Sequence, residues 1–445
     1  MLKKEAISNG AENRSAIAAT GHKFRTKNIS KRVQKIVISP IKEMSILADQ
    51  FQEETGADII SFGQGIPYFD TPQHIKEAIK NSLADIDTAK YTLEPGITEL
   101  RELIAKDLEK RKGILDIQSK KEIMVSVGCQ EAVACAISAI IDEGDEVLLF
   151  SPGFASHIEQ TIQFGGMPKF VAIDEEKGWK INFEILEKNV TAKTKAILFS
   201  NPSNPTGSVF SEEEINKLAD FAIKNDLIVI CDETYDFLVY DNVKHFSPAS
   251  LPKMRDRVIL CSSFSKRYAM TGYRVGFAFA DEGIIDHMLK VHDALVICAP
   301  AISQRAAIAG LSGPQDSVSE FVEKLSQNRD LMCQKLDELK DFFEYQKPMG
   351  AYYILAKYKN LPFGQNLVSR YARNKLSETC GERSRTINSF ELALKILREA
   401  CVITIPGAAF GPNGEGHLRF SFAGSPQEIE EGFQRLSSWL HFKSK

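Results

Sequence analysis

A lysine on a short connection between two apolar runs has the most chemistry to offer in this chain. Val258-Ile259-Leu260-Cys261 precedes Ser263-Phe264-Ser265-Lys266, and Val275 to Ala280 follows, so Lys266 lies on a loop between two expected strands and can project into a cleft. Arg274, further along the same loop, is a permanent cation suited to a phosphate, and Ser263 offers a hydroxyl to the same anion. An amine able to condense with a carbonyl, set beside a phosphate site, suggests a Schiff base with pyridoxal phosphate. An ordinary basic surface loop would read the same way, so other segments must decide.

Several segments agree. Asp232-Glu233-Thr234-Tyr235 ends the apolar run Leu227 to Cys231, where a carboxylate could pair with a protonated pyridine nitrogen and Tyr235 could donate to a ring oxygen. Asn201-Pro202-Ser203-Asn204-Pro205-Thr206-Gly207 follows another apolar run, and its two Asn-Pro pairs fix a rigid loop on which the Asn204 amide can be aimed at a ligand. Val127-Gly128-Cys129-Gln130-Glu131-Ala132 turns a strand into a helix whose free N–H groups suit a phosphate. Cys129 at that helix start has either a lowered thiol pKa or a backbone role alone. Pro152-Gly153-Phe154 offers an aromatic face to a flat ring, and Gly63-Gln64-Gly65 permits close backbone approach to a ligand. In His417-Leu418-Arg419-Phe420-Ser421 the period of two sends Leu418 and Phe420 to the core and Arg419 the other way, where a guanidinium could hold a carboxylate. Each of these has a plain structural alternative: a cap, a turn, a core Phe or an exposed strand Arg.

The elements that must position these residues alternate. Expected strands are Ile123 to Val127, Glu146 to Phe150, Lys169 to Ile173, Ala196 to Ser200, Leu227 to Cys231, Val258 to Cys261 and Val275 to Ala280, with helices over Glu131 to Ile141, Ser156 to Phe164 and Glu212 to Lys224 between them. Ser211 and Glu214 form a capping box for the last of these helices. Near-continuous apolar strands alternating with helices predict an α/β fold with a mostly parallel sheet sandwiched by helices. Ligands of such sheets gather beyond the carboxyl ends of strands, where these motifs lie. Ile41 to Phe51 reads as the first packed helix. After Gly313-Pro314 a helical stretch over Ser317 to Phe343 leads to a turn and strand at Pro348 to Leu355, opening a second, smaller domain. The expected division is a disordered tail over 1–32, an N-terminal segment over 33–65 that packs with the small domain, a large domain over 66–316 and a small domain over 317–445. Within the last, the polar, aperiodic residues 362–389 read as an inserted loop.

Composition sets the outer bounds. The chain has 445 residues, 43% hydrophobic and 26% charged, with a net charge of -4, which argues against nucleic acid as a partner. Its eight cysteines are scattered with no Cys-x-x-Cys pair, as expected of reduced thiols in the cytoplasm. The eight histidines form no compact ligand array, so no metal site is expected. The longest apolar runs, such as Ala294 to Ile302, are too short to span a bilayer, and Met1-Leu2-Lys3-Lys4 lacks an apolar signal core, so no membrane partner is expected.

Taken together, the segments Asn201 to Gly207, Asp232 to Tyr235 and Ser263 to Gly276 resemble those of the class I and II aminotransferases, pyridoxal phosphate enzymes of fold type I. The resemblance covers roughly residues 35 to 440 and implies an aspartate-aminotransferase-like fold, with the small domain α+β and built from both the N-terminal segment and the C-terminal part. It implies that Lys266 forms the aldimine with pyridoxal 5'-phosphate, Asp232 meets the pyridine nitrogen, Tyr235 and Asn204 meet the ring oxygen, and Phe154 stacks on the ring. Gly128, Cys129, Gln130, Ser263, Ser265 and Arg274 would hold the phosphate. Tyr91, in Tyr91-Thr92-Leu93-Glu94-Pro95-Gly96, resembles the tyrosine that reaches the phosphate of the partner subunit, which implies a homodimer. Gly65 and Arg419, with Asn204, would take the substrate carboxylate, and Pro406 to Gly411 matches the small-domain signature. Lys266, Asp232 and Tyr235 would be the catalytic group. The implied activity moves the amino group of an L-amino acid to a 2-oxo acid. The same residues could serve a lyase or cyclase acting on an amino acid with a leaving group, or a non-catalytic regulator that binds the cofactor.

Overall fold

Order along the chain dictates where the strand ends fall. A computed structural model describes residues 29–36, 39–361 and 387–443. The expected tail therefore lies outside the described residues except for 29–32, and the expected insertion lies outside them up to residue 386. Residues 29–36, taken by themselves, hold one 3-10 turn over Val33–Lys35.

From residue 39 onward the elements run α1 (Pro40–Thr55), β1 (Ile60–Ser61), α2 (Gln73–Ser82), α3 (Thr98–Lys112), β2 (Ile123–Ser126), α4 (Cys129–Ile140), β3 (Glu146–Ser151), α5 (Ala155–Gln163) and β4 (Met167–Ala172). Then come α6 (Phe183–Asn189), β5 (Thr194–Ser200), α7 (Glu212–Lys224), β6 (Ile228–Asp232), β7 (Val258–Ser263), β8 (Gly276–Phe279), α8 (Glu282–Val296), α9 (Ala301–Ser312) and α10 (Asp316–Asp337). The last are β9 (Phe343–Tyr345), β10 (Tyr353–Tyr358), α11 (Ser389–Ala400), β11 (Val402–Ile403), β12 (Ile405–Pro406), β13 (His417–Ser421) and α12 (Pro426–Lys443).

Seven strands form one sheet in the order β2-β8-β7-β6-β5-β3-β4. Apart from the half-exposed edge strand β4, their apolar runs are buried on both faces, and β2, β3, β7 and β8 are buried throughout. All pairings are parallel except those of β8, which is antiparallel to both β2 and β7. That exception matters for Lys266. The link from β7 to β8 needs no helical crossover, so it returns directly from the strand ends where ligands gather, carrying Lys266 with it.

A second sheet, β12-β13-β10-β9, is antiparallel, and a two-stranded parallel pair joins β1 to β11. Met44 and Ala48 of α1, Ile60 and Phe62 share a core with β10, β13, α11 and α12. The helix expected to reach Phe343 ends at Asp337, and Phe343 opens β9 instead. Helix α11 starts at Ser389 with Asn388 accepting from the Glu391 N–H, so the last residues of the expected insertion are a helix cap and first turn. The Ser211–Glu214 capping box is formed. None of the helices among the described residues is long and apolar enough to cross a membrane.

Candidate active site

Most of the expected residues gather at the carboxyl ends of strands of the seven-stranded sheet. Gly128 and Cys129 follow β2, Phe154 follows β3, Asn204 follows β5, Asp232 ends β6, and Ser263, Ser265 and Lys266 lie at and after the end of β7. Lys266 Nζ donates to the Gly65 carbonyl, which also accepts from the Tyr352 hydroxyl at 2.7 Å. Burial, then the cations Arg274 and Arg419, push the Lys266 amine down to about 8, against a smaller opposing pull from Asp232. A lysine with that pKa has a substantial neutral, nucleophilic fraction near neutral pH.

Asp232 is buried, and burial raises its pKa, yet His157 and the Thr234 N–H outweigh burial and hold it below the usual carboxylate value. His157 Nε2 lies 3.4 Å from Asp232 Oδ2, and the Thr234 N–H donates to Oδ1 at 3.0 Å. The carboxylate is thus kept ionised in a dry position. His157 also stands edge-on to Phe154, with ring centroids 5.3 Å apart.

Backbone and guanidinium shape an anion cradle beside these groups. Gly128, at φ 76°, caps the N-terminus of α4, and a Cβ there would lie 2.6 Å from Arg274 Nη2. A Cβ on Gly276 would sit 2.5 Å from the Ser262 carbonyl and 2.8 Å from the Cys129 nitrogen. Both positions therefore require glycine for the helix start, the β7–β8 edge and Arg274 to come together. Arg274 itself takes a left-handed conformation, φ 53°, and its Nη1 donates to the Thr271 carbonyl at 3.0 Å. Ser263 and Ser265, at and just after the end of β7, are buried, and Gln130 is exposed, donating to Ser156 Oγ. The thiol of Cys129 is pushed well up, first by burial and then by Asp232, so the lowered pKa considered for a helix start is not found.

Arg419 faces away from Leu418 and Phe420 as the period of two requires, but it is no exposed strand arginine: it is 1% exposed. Its Nη1 donates to Asn204 Oδ1 at 2.9 Å, its Nη2 to the Gly63 carbonyl, and its plane lies 4.4 Å from the Tyr353 ring centroid and 5.1 Å from that of Phe410. Nε has no partner. Among the described residues no carboxylate lies within ion-pair distance of this guanidinium, so a buried cation waits with its charge uncompensated. Gly65 is confined in the same place, since a Cβ on it would lie 2.0 Å from Tyr353 Oη.

Tyr235 is buried, and its hydroxyl exchanges a 2.8 Å hydrogen bond with Tyr353. Burial and then Tyr353 push the Tyr235 hydroxyl pKa well up, so it stays protonated. Tyr91 is not brought into this cleft; it is 77% exposed on the surface next to Leu93. His157, Tyr352 and Tyr353 are the residues that sequence reasoning missed. His157 lies three positions after Phe154, one turn along α5, which is the only local signal it carried.

Residues 57–436 match the family Aminotransferase class I and II. The chain is 38% identical over 388 residues to an aspartate aminotransferase of Pyrococcus abyssi, covering 87% of this chain and 92% of that protein. It is 34% identical over 417 residues to aromatic-amino-acid aminotransferase 2 of Thermococcus litoralis, covering 93% and 99%. Among solved structures, the aromatic aminotransferase from Pyrococcus horikoshii superposes with a TM-score of 0.78 at 36% identity, over 89% of this chain and 99% of that one. The aspartate aminotransferase from Thermus thermophilus with maleate superposes at 0.81 and 29%, over 93% and 100%. The α/β fold with its mostly parallel central sheet is the aspartate-aminotransferase-like one, and the chain belongs to the class I and II aminotransferases.

Proposed function

We propose that this aminotransferase moves the amino group of an L-amino acid to a 2-oxo acid with pyridoxal 5'-phosphate held on Lys266. The residues fit that group: a nucleophilic lysine, a buried ionised carboxylate, and an anion cradle that a Cβ at Gly128 or Gly276 would fill. When bound, the cofactor supplies an electron sink for a substrate that has lost its α proton.

The chain's own residues do the rest. Arg274, the α4 N-terminus, Ser263 and Ser265 hold the phosphate, with Gly128, Cys129 and Gln130 supplying backbone N–H groups. Asp232, kept ionised by His157, holds a proton on the pyridine nitrogen, while Tyr235 and Asn204 donate to the ring oxygen and Phe154 covers one ring face. Arg419 binds the substrate carboxylate through its fork beside Gly65 and so fixes the α carbon in front of Lys266 Nζ. Lys266 Nζ would take the proton from the substrate α carbon and return it, a role that suits an amine whose pKa burial and the neighbouring cations hold below the ordinary lysine value. The observation that carries this reading is the uncompensated Arg419 cation set close to the depressed Lys266 amine, both donating to the stretch Gly63–Gly65.

Other assignments extend the reading. Exposed Tyr91 and Leu93 support a homodimer in which Tyr91 reaches the phosphate of the other subunit. Buried, unpaired Cys129, Cys135, Cys231, Cys261 and Cys333 support a reducing, cytoplasmic setting. The pairing of β1 with β11 supports assigning residues 39–65 of the expected 33–65 segment to the small domain over 317–445, with 66–316 as the large domain. The aminotransferase relatives do not favour a lyase, a cyclase or a silent regulator.

The test is a half-reaction. Protein loaded with pyridoxal phosphate and given one amino acid, with no acceptor, is expected to release one 2-oxo acid per site. Failure across a broad amino-acid panel, or ammonia release instead, overturns the reading.

A further inference from the structure

Around the end of α3 lies a set of buried and partly buried charges to which the proposed reaction assigns no role. The side chain of Lys112, the last residue of α3, is 3% exposed and pairs with Glu233 Oε2 at 2.7 Å and with Asp236 Oδ2. Arg111 reaches Asp236 at 3.0 Å and Asp107 at 2.9 Å, and Arg267 meets Asp107 at 2.9 Å. Glu233 also accepts from the Ser247 hydroxyl, and its other oxygen lies 3.9 Å from His245, whose Nε2 is 3.1 Å from the Asn201 carbonyl. Burial and then the Lys112 cation hold the His245 pKa below its ordinary value, so His245 is neutral here. Three cations, Arg111, Lys112 and Arg267, thus face three carboxylates, Asp107, Glu233 and Asp236.

What singles out this cluster is its place in the chain. Glu233 follows Asp232, Asp236 follows Tyr235, and Arg267 follows Lys266. Asn201 opens the loop of Asn204, and its N–H donates to the Asp232 carbonyl at 3.0 Å. Asp232, Tyr235 and Lys266 thus each have a next neighbour in the chain tied to the C-terminal half of α3. In the stretch Asp232 to Asp236, Asp232 and Tyr235 point to the cleft while Glu233 and Asp236 point to Lys112. Buried ion pairs are poor sources of stability, because desolvation offsets their attraction and apolar replacements of the same volume are often neutral. They are good at fixing geometry, and a misplacement of about 1 Å at a reacting centre can cost ~100-fold in rate.

We propose that Lys112 is a positioning residue of the site: through Glu233 and Asp236 it sets where Asp232 and Tyr235 meet the cofactor. The inference rests on the cofactor reading above. Lys112→Met removes the shared cation, whereas Lys112→Arg keeps it. Purified full-length protein is measured for pyridoxal phosphate affinity by fluorescence quenching, for kcat and for the amino-acid KM.

For Lys112→Met, cofactor affinity and kcat are expected to fall at least tenfold, while the amino-acid KM, set by the distant Arg419, changes less than threefold. Lys112→Arg should recover most of both losses. If Lys112→Met does not fold, Asp236→Asn, which keeps shape and removes one charge, is held to the same pattern. Wild-type affinity and kcat in the variants, or losses that merely follow the folded fraction, would overturn the inference while leaving the cofactor reading intact. A wild-type chain that binds no pyridoxal phosphate would sink the cofactor reading and this inference together.

Discussion

Arg419 Nη1 and Asn204 Oδ1 lie 2.9 Å apart although 215 residues separate them in the chain. One comes from the antiparallel sheet and the other from the loop after β5, so this hydrogen bond joins the two sheets at the cleft. The guanidinium also lies against the Tyr353 and Phe410 rings, and its Nε has no partner.

Arg419→Lys keeps a positive charge but loses the fork. The amino-acid KM is expected to rise at least tenfold, and Arg419→Leu should lower kcat/KM by about 100-fold or more, roughly 3 kcal/mol of lost carboxylate binding. Pyridoxal phosphate affinity should change little in either variant. Steady-state kinetics with a cofactor titration check this, and a large cofactor effect with an unchanged KM would contradict it.

The depressed Lys266 amine makes two pH-dependent quantities predictable. Capture of pyridoxal phosphate by the cofactor-free protein needs the neutral amine, so its rate should rise with pH and level off above a midpoint near 8. Lys266→Ala should still bind the cofactor noncovalently yet show no covalent capture. Borohydride reduction and peptide mapping of the wild type should place the label on Lys266. For stability, the folded value of about 8 lies below the ordinary 10.5, so between these values the unfolded chain holds the extra proton. Stability of the cofactor-free protein should therefore increase from pH 8 to 10.5 relative to Lys266→Ala, by on the order of 3 kcal/mol. A flat difference between the two proteins would refute the assignment.

Gly276 has backbone on three sides, where no flexible side chain can yield: the Ser262 carbonyl, the Gly128 carbonyl carbon and the Cys129 nitrogen. Gly276→Ala must separate β7, β8 and the α4 start, costing about 1–3 kcal/mol in stability. Because the same movement opens the anion cradle, pyridoxal phosphate affinity should fall at least tenfold. Thermal unfolding and cofactor titration of the variant test both, and wild-type values for either would count against the cradle.

Much of this was legible before any coordinates. Apolar runs marked all seven strands of the large sheet to within about two residues, because both sheet faces are covered and period carries little ambiguity there. Direction was not legible: nothing in the run Val275 to Ala280 announces an antiparallel strand, since that depends on the missing crossover helix. The residues on strand ends, Asp232, Asn204 and Lys266, stood out by their neighbours. His157, Tyr352 and Tyr353 did not, because an isolated His on a helix and a Tyr pair in an apolar strand look like core until long-range packing brings them to Asp232, Tyr235 and Gly65. The burial of Arg419 was hidden for the same reason: alternation gives a side, not what covers it.

The pairing of β1 with β11 bears on the order in which a growing chain can complete its site. The Gly63 carbonyl and the Arg419 guanidinium that it anchors are 356 residues apart, and Ile60–Ser61 finds its strand partner only after residue 400 has been made. The seven-stranded sheet, by contrast, draws on residues 123 to 279 alone and can pair as it emerges from the ribosome. The side of the cleft proposed to hold the phosphate and ring can therefore form early in synthesis. The wall proposed to recognise the amino acid closes last, so a nascent chain stalled before residue 400 is expected to form the proposed cofactor cradle without the Arg419 that would select a substrate.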